Sequence, residues 1–291
     1  MKKAVVIDCY SILHNLRYRL KYLAERERHI GVVFGFLQKL LKYSKQFETD
    51  KFIFCWDSKQ RLRQVYCNTY KVNREKLIKQ QTKEEEELRR IAYLQFDQLR
   101  KEVIPKMGFR NSFISIGLEA DDLVAEIVNN KKSTFEYVVV TSDGDLLQLL
   151  SDRTSIFMLG KDKLLTKKWF EKTYGLEPIR WAEAKAVGGC NGDNVIGVKG
   201  MSDPAKSKVS NTLAYLRGEL KPGILTKRIE NSQELIKRNR KLVYLPYQNI
   251  EIKLKKDVLT KEAFFKTFKM LGINYFLKVD VFAKWKEAFK L

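Results

Sequence analysis

Residues 117–145 read GLEADDLVAEIVNNKKSTFEYVVVTSDGD, and this stretch decides how the rest of the chain is read. Tyr137-Val138-Val139-Val140 is a continuous apolar, β-branched run, the signature of a strand buried on both faces. It ends in Thr141-Ser142-Asp143-Gly144-Asp145, which puts two carboxylates just past the strand. Upstream, Glu119 and Asp122 stand three apart, so on a helix they share one face, with Asp121 beside them. A helix that begins in acids is thus followed by a strand that ends in acids.

The same grammar recurs along the first half. Ala4 to Ile7 reads as a short buried strand ending at Asp8, and Phe52 to Trp56 as a second ending at Asp57. Phe113-Ile114-Ser115-Ile116 is a weaker third, and Tyr137–Val140 is the fourth. Apolar residues at helical spacing lie between them, such as Val32, Val33, Phe36, Leu37, Leu40 and Leu41. Strands alternating with helices predict an α/β fold with a parallel sheet covered on both faces. In such sheets ligands sit at the carboxyl ends of the strands, so Asp8, Asp57, Asp143 and Asp145 are expected along one edge. Each Asp alone could be a helix or turn cap; four in one sheet are harder to explain that way. Acids in a first helical turn suit the helix dipole by only ~1 kcal/mol or less each, while crowded carboxylates repel. A basic surround or divalent cations would compensate, and an all-oxygen donor set favours Mg²⁺ or Mn²⁺ over zinc.

The charge points to the partner. Fifty-six Lys and Arg oppose thirty-five Asp and Glu in 291 residues, a net charge of +21. A polyanion is the expected partner, nucleic acid ahead of a membrane surface. No apolar run approaches a membrane span, and Asp8 interrupts the N-terminal apolar run before a signal peptide could form. Cys9, Cys55, Cys67 and Cys190 lack zinc-site or disulfide spacing, so a reducing cytoplasm is expected. His14 and His29 are the only histidines, and neither stands in a recognisable catalytic context.

The basic residues are segregated. Lys59, Arg61, Arg63, Lys71, Arg74, Lys76, Lys79 and Lys83 face a single acid, Glu75, with Tyr66 and Tyr70 interleaved. That mixture offers phosphate neutralisation and stacking platforms for a single strand. From Lys199 to Lys241 eleven basic residues oppose four acids. This second region opens with the glycine-rich run Gly188–Gly200, containing Asp193-Asn194, and leads into Lys206 and Lys208. Glycines permit close backbone approach to phosphates, so a DNA-backbone clamp is expected there.

Val6-Ile7-Asp8, Trp56-Asp57-Ser58, Glu119-Ala120-Asp121-Asp122, Thr141-Ser142-Asp143-Gly144-Asp145 and Gly192-Asp193-Asn194, in that order and spacing, resemble the 5′-nuclease superfamily of flap endonucleases and 5′→3′ exonucleases. Its bacteriophage members, some of them ribonuclease H-like, are nearest in size. The resemblance runs from about residue 4 to residue 245. It implies a PIN-like, mainly parallel sheet flanked by helices, a helical arch over the active site and a helix–three-turn–helix motif on duplex DNA. Domains are expected at 1–180, with the arch around 59–92, and at 181–291 for the helical DNA-binding and C-terminal region. Carried over, Asp8, Asp57, Glu119, Asp121, Asp122, Asp143, Asp145 and Asp193 are the metal-site carboxylates for two ions. Lys71 and Arg74 fall where the family contacts the scissile phosphate. Arg61, Arg63, Tyr66, Tyr70, Lys199, Gly200, Lys206 and Lys208 are the nucleic-acid contacts, and some relatives hold K⁺ near the turn, here 197–206.

Three departures stand out. The family's Gly-Asp-x-x-Asp-Asn carries Cys190 in place of its first Asp, which removes one ligand of the second metal. The Gly-Ile-Gly-x-Lys turn is replaced by Gly200-Met201-Ser202-Asp203-Pro204-Ala205-Lys206. Cys9 and Asn15 replace a Gly and an Arg after Asp8. The implied activity is metal-dependent hydrolysis of phosphodiesters at 5′ flaps or 5′ ends in replication or repair, by a monomer acting at junctions. DNA and an RNA primer or RNA–DNA hybrid both remain as substrates. The competing reading is a junction-binding protein of the same fold weakened by the change at Cys190. A metal-dependent phosphatase or small ribonuclease would leave both basic regions unexplained.

Overall fold

The computed structural model describes residues 2–20, 23–25, 28–207 and 210–291. Its centre is a six-stranded sheet built from β1 (Lys2–Asp8), β2 (Phe52–Trp56), β3 (Ser112–Ile114), β4 (Phe135–Thr141), β5 (Thr154–Met158) and β6 (Lys163–Leu165). The spatial order is β3-β2-β1-β4-β5-β6. All neighbours run parallel except β5 and β6. Register pairs Ile7 with Phe54 on one side and with Val140 on the other. From β1 the chain builds to one side through β2 and β3, then crosses back to start β4 on the other. The seam between β1 and β4 is therefore the topological switch point, where α/β sheets open a crevice.

Apart from a third cluster, mainly among residues 182–243, side-chain alternation gives the sheet one core on each face. Val5, Ile7, Phe52, Phe54, Val138 and Val140 face one, together with α1 (Cys9–Arg19) and α2 (Gly31–Phe47). Ala4, Val6, Ile53, Cys55, Tyr137 and Val139 face the other, against the helix that starts at Ala120. A strand buried on both faces needs no polar alternate, which is why the central strands read as unbroken apolar runs.

After β2 come α3 (Leu62–Tyr66), α4 (Val72–Lys79) and α5 (Lys83–Gln98). Thr82 and Glu85 form a reciprocal capping box that starts α5. Across α4, Leu77 and Ile78 are exposed among charged neighbours, so this segment stands away from the cores. The acid-rich helix is α6 (Ala120–Val128). Beyond β6 lie α7 (Lys167–Tyr174), α8 (Trp181–Gly188), α9 (Asn211–Leu216), α10 (Ile224–Asn231) and α11 (Gln233–Val243).

Residues of the expected 181–291 grouping pack into more than one core. α12 (Lys261–Leu271) and α13 (Val279–Phe289) return to the first core, where Phe264, Phe268, Trp285 and Phe289 join Phe52 and Phe109. Residues 244–260 lead there along α6 and β3, tied by Tyr247 N–H to Asp122 and by Lys255 N–H to Asn111. The physical reason is aromatic area: nine ring contacts among residues 52, 109, 264, 268, 285 and 289 have centroids 5.1–6.2 Å apart. Among the described residues no helix is long and apolar enough to cross a membrane.

Candidate active site and metal centre

Carboxylates from five segments meet at the switch-point edge. Asp8, the last residue of β1, caps α1 by accepting from Ser11 N–H at 3.3 Å. Its other oxygen accepts from Ser11 Oγ at 2.6 Å and Thr141 Oγ1 at 2.8 Å, which lashes β1 to β4. Asp57 follows β2 and accepts from Ala120 N–H at 2.7 Å, anchoring the start of α6. Asp143 caps the turn after β4 by accepting from Asp145 N–H at 2.8 Å. Trp181 Nε1 holds that turn from outside by donating to Gly144 O at 2.8 Å. Asp193 closes the group from the loop after α8.

The crowding is visible in the titration of these groups. Burial, then the neighbouring Asp8 charge, pushes the Asp57 carboxyl up to about 6. Burial, then Asp145 and Asp193, pushes Asp143 up to about 7. Asp121 is held well above the ordinary carboxylate range, and Asp193 is also raised, both chiefly by burial. Glu119 goes the other way. Burial would raise it, but Lys71 and Arg63 outweigh burial and hold it near 2.

Cations penetrate this acidic edge. Lys71 is 5% exposed and donates to Glu119 Oε1 at 2.6 Å, with Asp193 Oδ2 at 3.8 Å. It stands at the start of α4 with a left-handed backbone, φ +57°, and its N–H bonds Asp193 O. Arg74, one turn on, donates to Asp193 Oδ1 at 2.8 Å and remains half exposed. Lys185 lies buried at the far end, 2.9 Å from Asp145 Oδ1 and 3.4 Å from Asp203 Oδ1.

Two of the expected nucleic-acid contacts are buried. Arg63 is 2% exposed and grips Asp122 through a two-bond fork of 2.7 and 2.6 Å, while its Nε donates to Leu242 O. Tyr70 is equally buried, its hydroxyl on Glu119 at 3.0 Å. Both face inward because the buried acids of α6 need partners more than the surface needs charge. Asp122 itself is fully buried, and its oxygens are occupied by Arg63 and by the N–H groups of Glu119 and Tyr247. Arg61 remains partly exposed beside Glu119 at 3.3 Å. Tyr66 is on the surface, with Lys241 Nζ 5.0 Å from its ring centre.

The second basic region forms a tight surface turn. Lys199, Gly200 and Lys206 are exposed, whereas Lys208 lies outside the described residues. Gly200 has φ +91°, and a Cβ there would meet Leu225 at 2.7 Å. Asn239 pins the region from below by donating to Ala186 O and Ile196 O. Lys185 and Asp203 escaped notice in the sequence. The available signal was a lysine set in the small-residue run Trp181-Ala182-Glu183-Ala184-Lys185-Ala186-Val187, just before two glycines.

The donor set suits divalent ions. Asp8, Asp57, Glu119, Asp121, Asp143, Asp145 and Asp193 supply hard oxygens, and the raised carboxyls show repulsion that a cation would relieve. Ligand atoms of Asp145, Cys190 and Asp193 lie within 4.8 Å of one another.

Residues 3–175 match the family model described as 5′-3′ exonuclease, N-terminal resolvase-like domain. The chain is 29% identical over 238 residues to the thermostable DNA polymerase I of Thermus caldophilus, an alignment covering 81% of this chain and 27% of that protein. It is 24% identical over 262 residues to the 5′-3′ exonuclease of Buchnera aphidicola, covering 87% of both. Thus the chain spans only about a quarter of the polymerase relatives it matches. In fold it is similar to the T5 5′-exonuclease solved with bound divalent metal ions (zinc), at TM-score 0.68 and 22% identity over 84% of this chain and 90% of that one.

Proposed function

The chain belongs to the 5′-3′ exonuclease family, and from that premise we propose that it is a structure-selective 5′ nuclease that hydrolyses phosphodiesters at 5′ flaps or 5′ ends of DNA. One observation carries this reading: carboxylates from five segments converge at the sheet's switch point with Lys71 and Arg74 among them. A binding protein gains nothing from acids set against a phosphate.

Asp8, Asp57, Glu119 and Asp121 on one side, where all donors are oxygen, would hold Mg²⁺ or Mn²⁺, and Asp143, Asp145 and Asp193 on the other would hold a second divalent ion. When bound, such ions supply Lewis-acid activation of water and charge neutralisation at the phosphoryl oxygens. The residues of the chain do the positioning. Arg74, half exposed at the edge, meets the phosphate directly. Lys71 enters with its backbone already fixed by Asp193 O and turns its ammonium from Glu119 toward the phosphate as charge builds there. Arg61, Lys76 and Lys79 guide the single strand, while Lys199, Gly200 and Lys206 grip the duplex backbone, so selection follows strand geometry rather than base identity.

Endpoint-mapped cleavage of 5′-labelled flap, nicked duplex and RNA–DNA hybrid with Mg²⁺, Mn²⁺ or EDTA tests this. Metal-dependent products cut near the junction are expected, and the hybrid arm identifies the preferred strand chemistry. Cysteine at position 190 and the Lys185–Asp145 ion pair favour one other reading, a junction-binding protein. Folded protein that binds the flap and leaves it uncut in every metal would establish that reading instead.

A further inference from the structure

Cys190 replaces an acid of the family pattern, yet it does not leave a gap. Its backbone is locked by paired bonds with Val195, N–H to O at 2.9 Å and O from N–H at 3.0 Å. The same turn returns Asp193 N–H to Cys190 O at 3.2 Å, so Cys190 and Asp193 are presented together by one rigid loop. Opposite them, Lys185 bridges Asp145 and Cys190, its ammonium 2.9 Å from Asp145 Oδ1 and donating to Cys190 Sγ at 3.5 Å, while Cys190 Sγ also faces Asp145 Oδ2 at 3.9 Å. Sulfur and two carboxylates thus converge, each ligand atom within 4.8 Å of the others.

We propose that Cys190 is itself a metal ligand, making the second metal position of this chain a mixed sulfur–oxygen site selective for thiophilic divalent ions such as Zn²⁺, Co²⁺ or Cd²⁺. The inference rests on the nuclease reading for the location of the site, but its chemistry belongs to this chain. Thiolate shifts preference away from Mg²⁺, which demands oxygen, toward softer ions. Bonds of about 2.3 Å to sulfur and about 2.0–2.2 Å to oxygen would draw the three groups inward around such an ion. Coordination by sulfur releases the thiol proton to solvent. Lys185 orients Asp145, and its ammonium gives up Cys190 Sγ when the ion binds.

The test is a titration of the full chain with Co²⁺ or Cd²⁺ under a phosphine reductant, read by the sulfur-to-metal charge-transfer band. Wild type should show the band at one equivalent, and Cys67→Ser should keep it. Cys190→Ser should lose it, with Cd²⁺ affinity down more than about tenfold, since even a partner that only orients a ligand is worth ~10–100-fold. Cys190→Asp should lose the band while gaining affinity for Mn²⁺ measured by electron spin resonance. Thermal melts establish that the variants fold. Absence of the band in wild type, or its persistence in folded Cys190→Ser, overturns the proposal. The cleavage assay, run in Mg²⁺, Mn²⁺, Zn²⁺ and Co²⁺, is scored separately: a band without cleavage in any of these metals sinks the nuclease reading alone, and cleavage without a band sinks only the sulfur ligand.

Discussion

At the scale of single residues, the acidic edge costs the protein stability that function requires. Asp143 and Asp57 titrate near 7 and 6 because burial and neighbouring carboxylates oppose their charge. A folded pKa above the unfolded one means the native state binds more protons in between, so stability falls as pH rises from about 4 to about 7. Glu119 has the opposite sign: held near 2, it stabilises above the ordinary glutamate range, and that contribution is lost as pH falls toward 2. Asp143→Asn should therefore abolish metal-dependent cleavage yet, in EDTA, stabilise the fold by about 1–2 kcal/mol at pH 8. The gain should vanish near pH 5, where the wild-type carboxyl is already protonated, while flap binding stays within a few-fold. Equal gains at both pH values, read from melting curves, would show that repulsion is not the cause. Lys71→Ala should lower kcat more than it raises KM, because Lys71 sits between Glu119 and Asp193 rather than on the binding surface. A loss confined to KM would move Lys71 out of the reacting centre.

At the scale of elements, one buried side chain joins three of them. Arg63 on α3 forks onto Asp122 in α6 and donates to Leu242 O at the end of α11. The base of the basic segment is thereby fixed to the helix that carries the acids. Arg63→Met leaves Asp122 charged, buried and unpaired, which should cost about 3–5 kcal/mol in urea unfolding. Arg63→Met with Asp122→Leu should recover much of that loss, and failure to recover would mean that the bond to Leu242 O dominates. This junction also marks where sequence reading stops. The β1, β2 and β4 strands were legible because strands buried on both faces are unbroken apolar runs, and the acids were legible because each follows a strand. β5 and β6 escaped notice: Thr154-Ser155-Ile156-Phe157-Met158 is short and mixed, and β6 is a three-residue edge strand running antiparallel. Arg63 and Tyr70 looked like surface charge or stacking groups, and Lys185 carried no motif. Their burial depends on partners 49–59 positions away for Arg63 and Tyr70, and on a turn brought back from another strand for Lys185.

At the scale of the whole molecule, the +21 charge is not all available to a polyanion. Arg63, Lys71 and Lys185 are consumed by buried acids, whereas Lys76, Lys79, Lys199 and Lys206 are exposed. Counterion release counts only charges that reach phosphates: each neutralised phosphate on duplex DNA contributes about 0.9 to the slope of log K against log salt. Flap binding measured in Ca²⁺ or EDTA should fall steeply with salt, with a slope of roughly −5 to −9 if six to ten phosphates are met. Lys199→Ala and Lys206→Ala should each flatten that slope by about one and leave the metal dependence of cleavage unchanged. Lys185→Met should leave the slope untouched, since its ammonium faces Asp145 and Asp203. A flat response in the wild type would remove the phosphate clamp from the account. A slope that changes with Lys185 but not with Lys199 would place the duplex on the wrong side of α8.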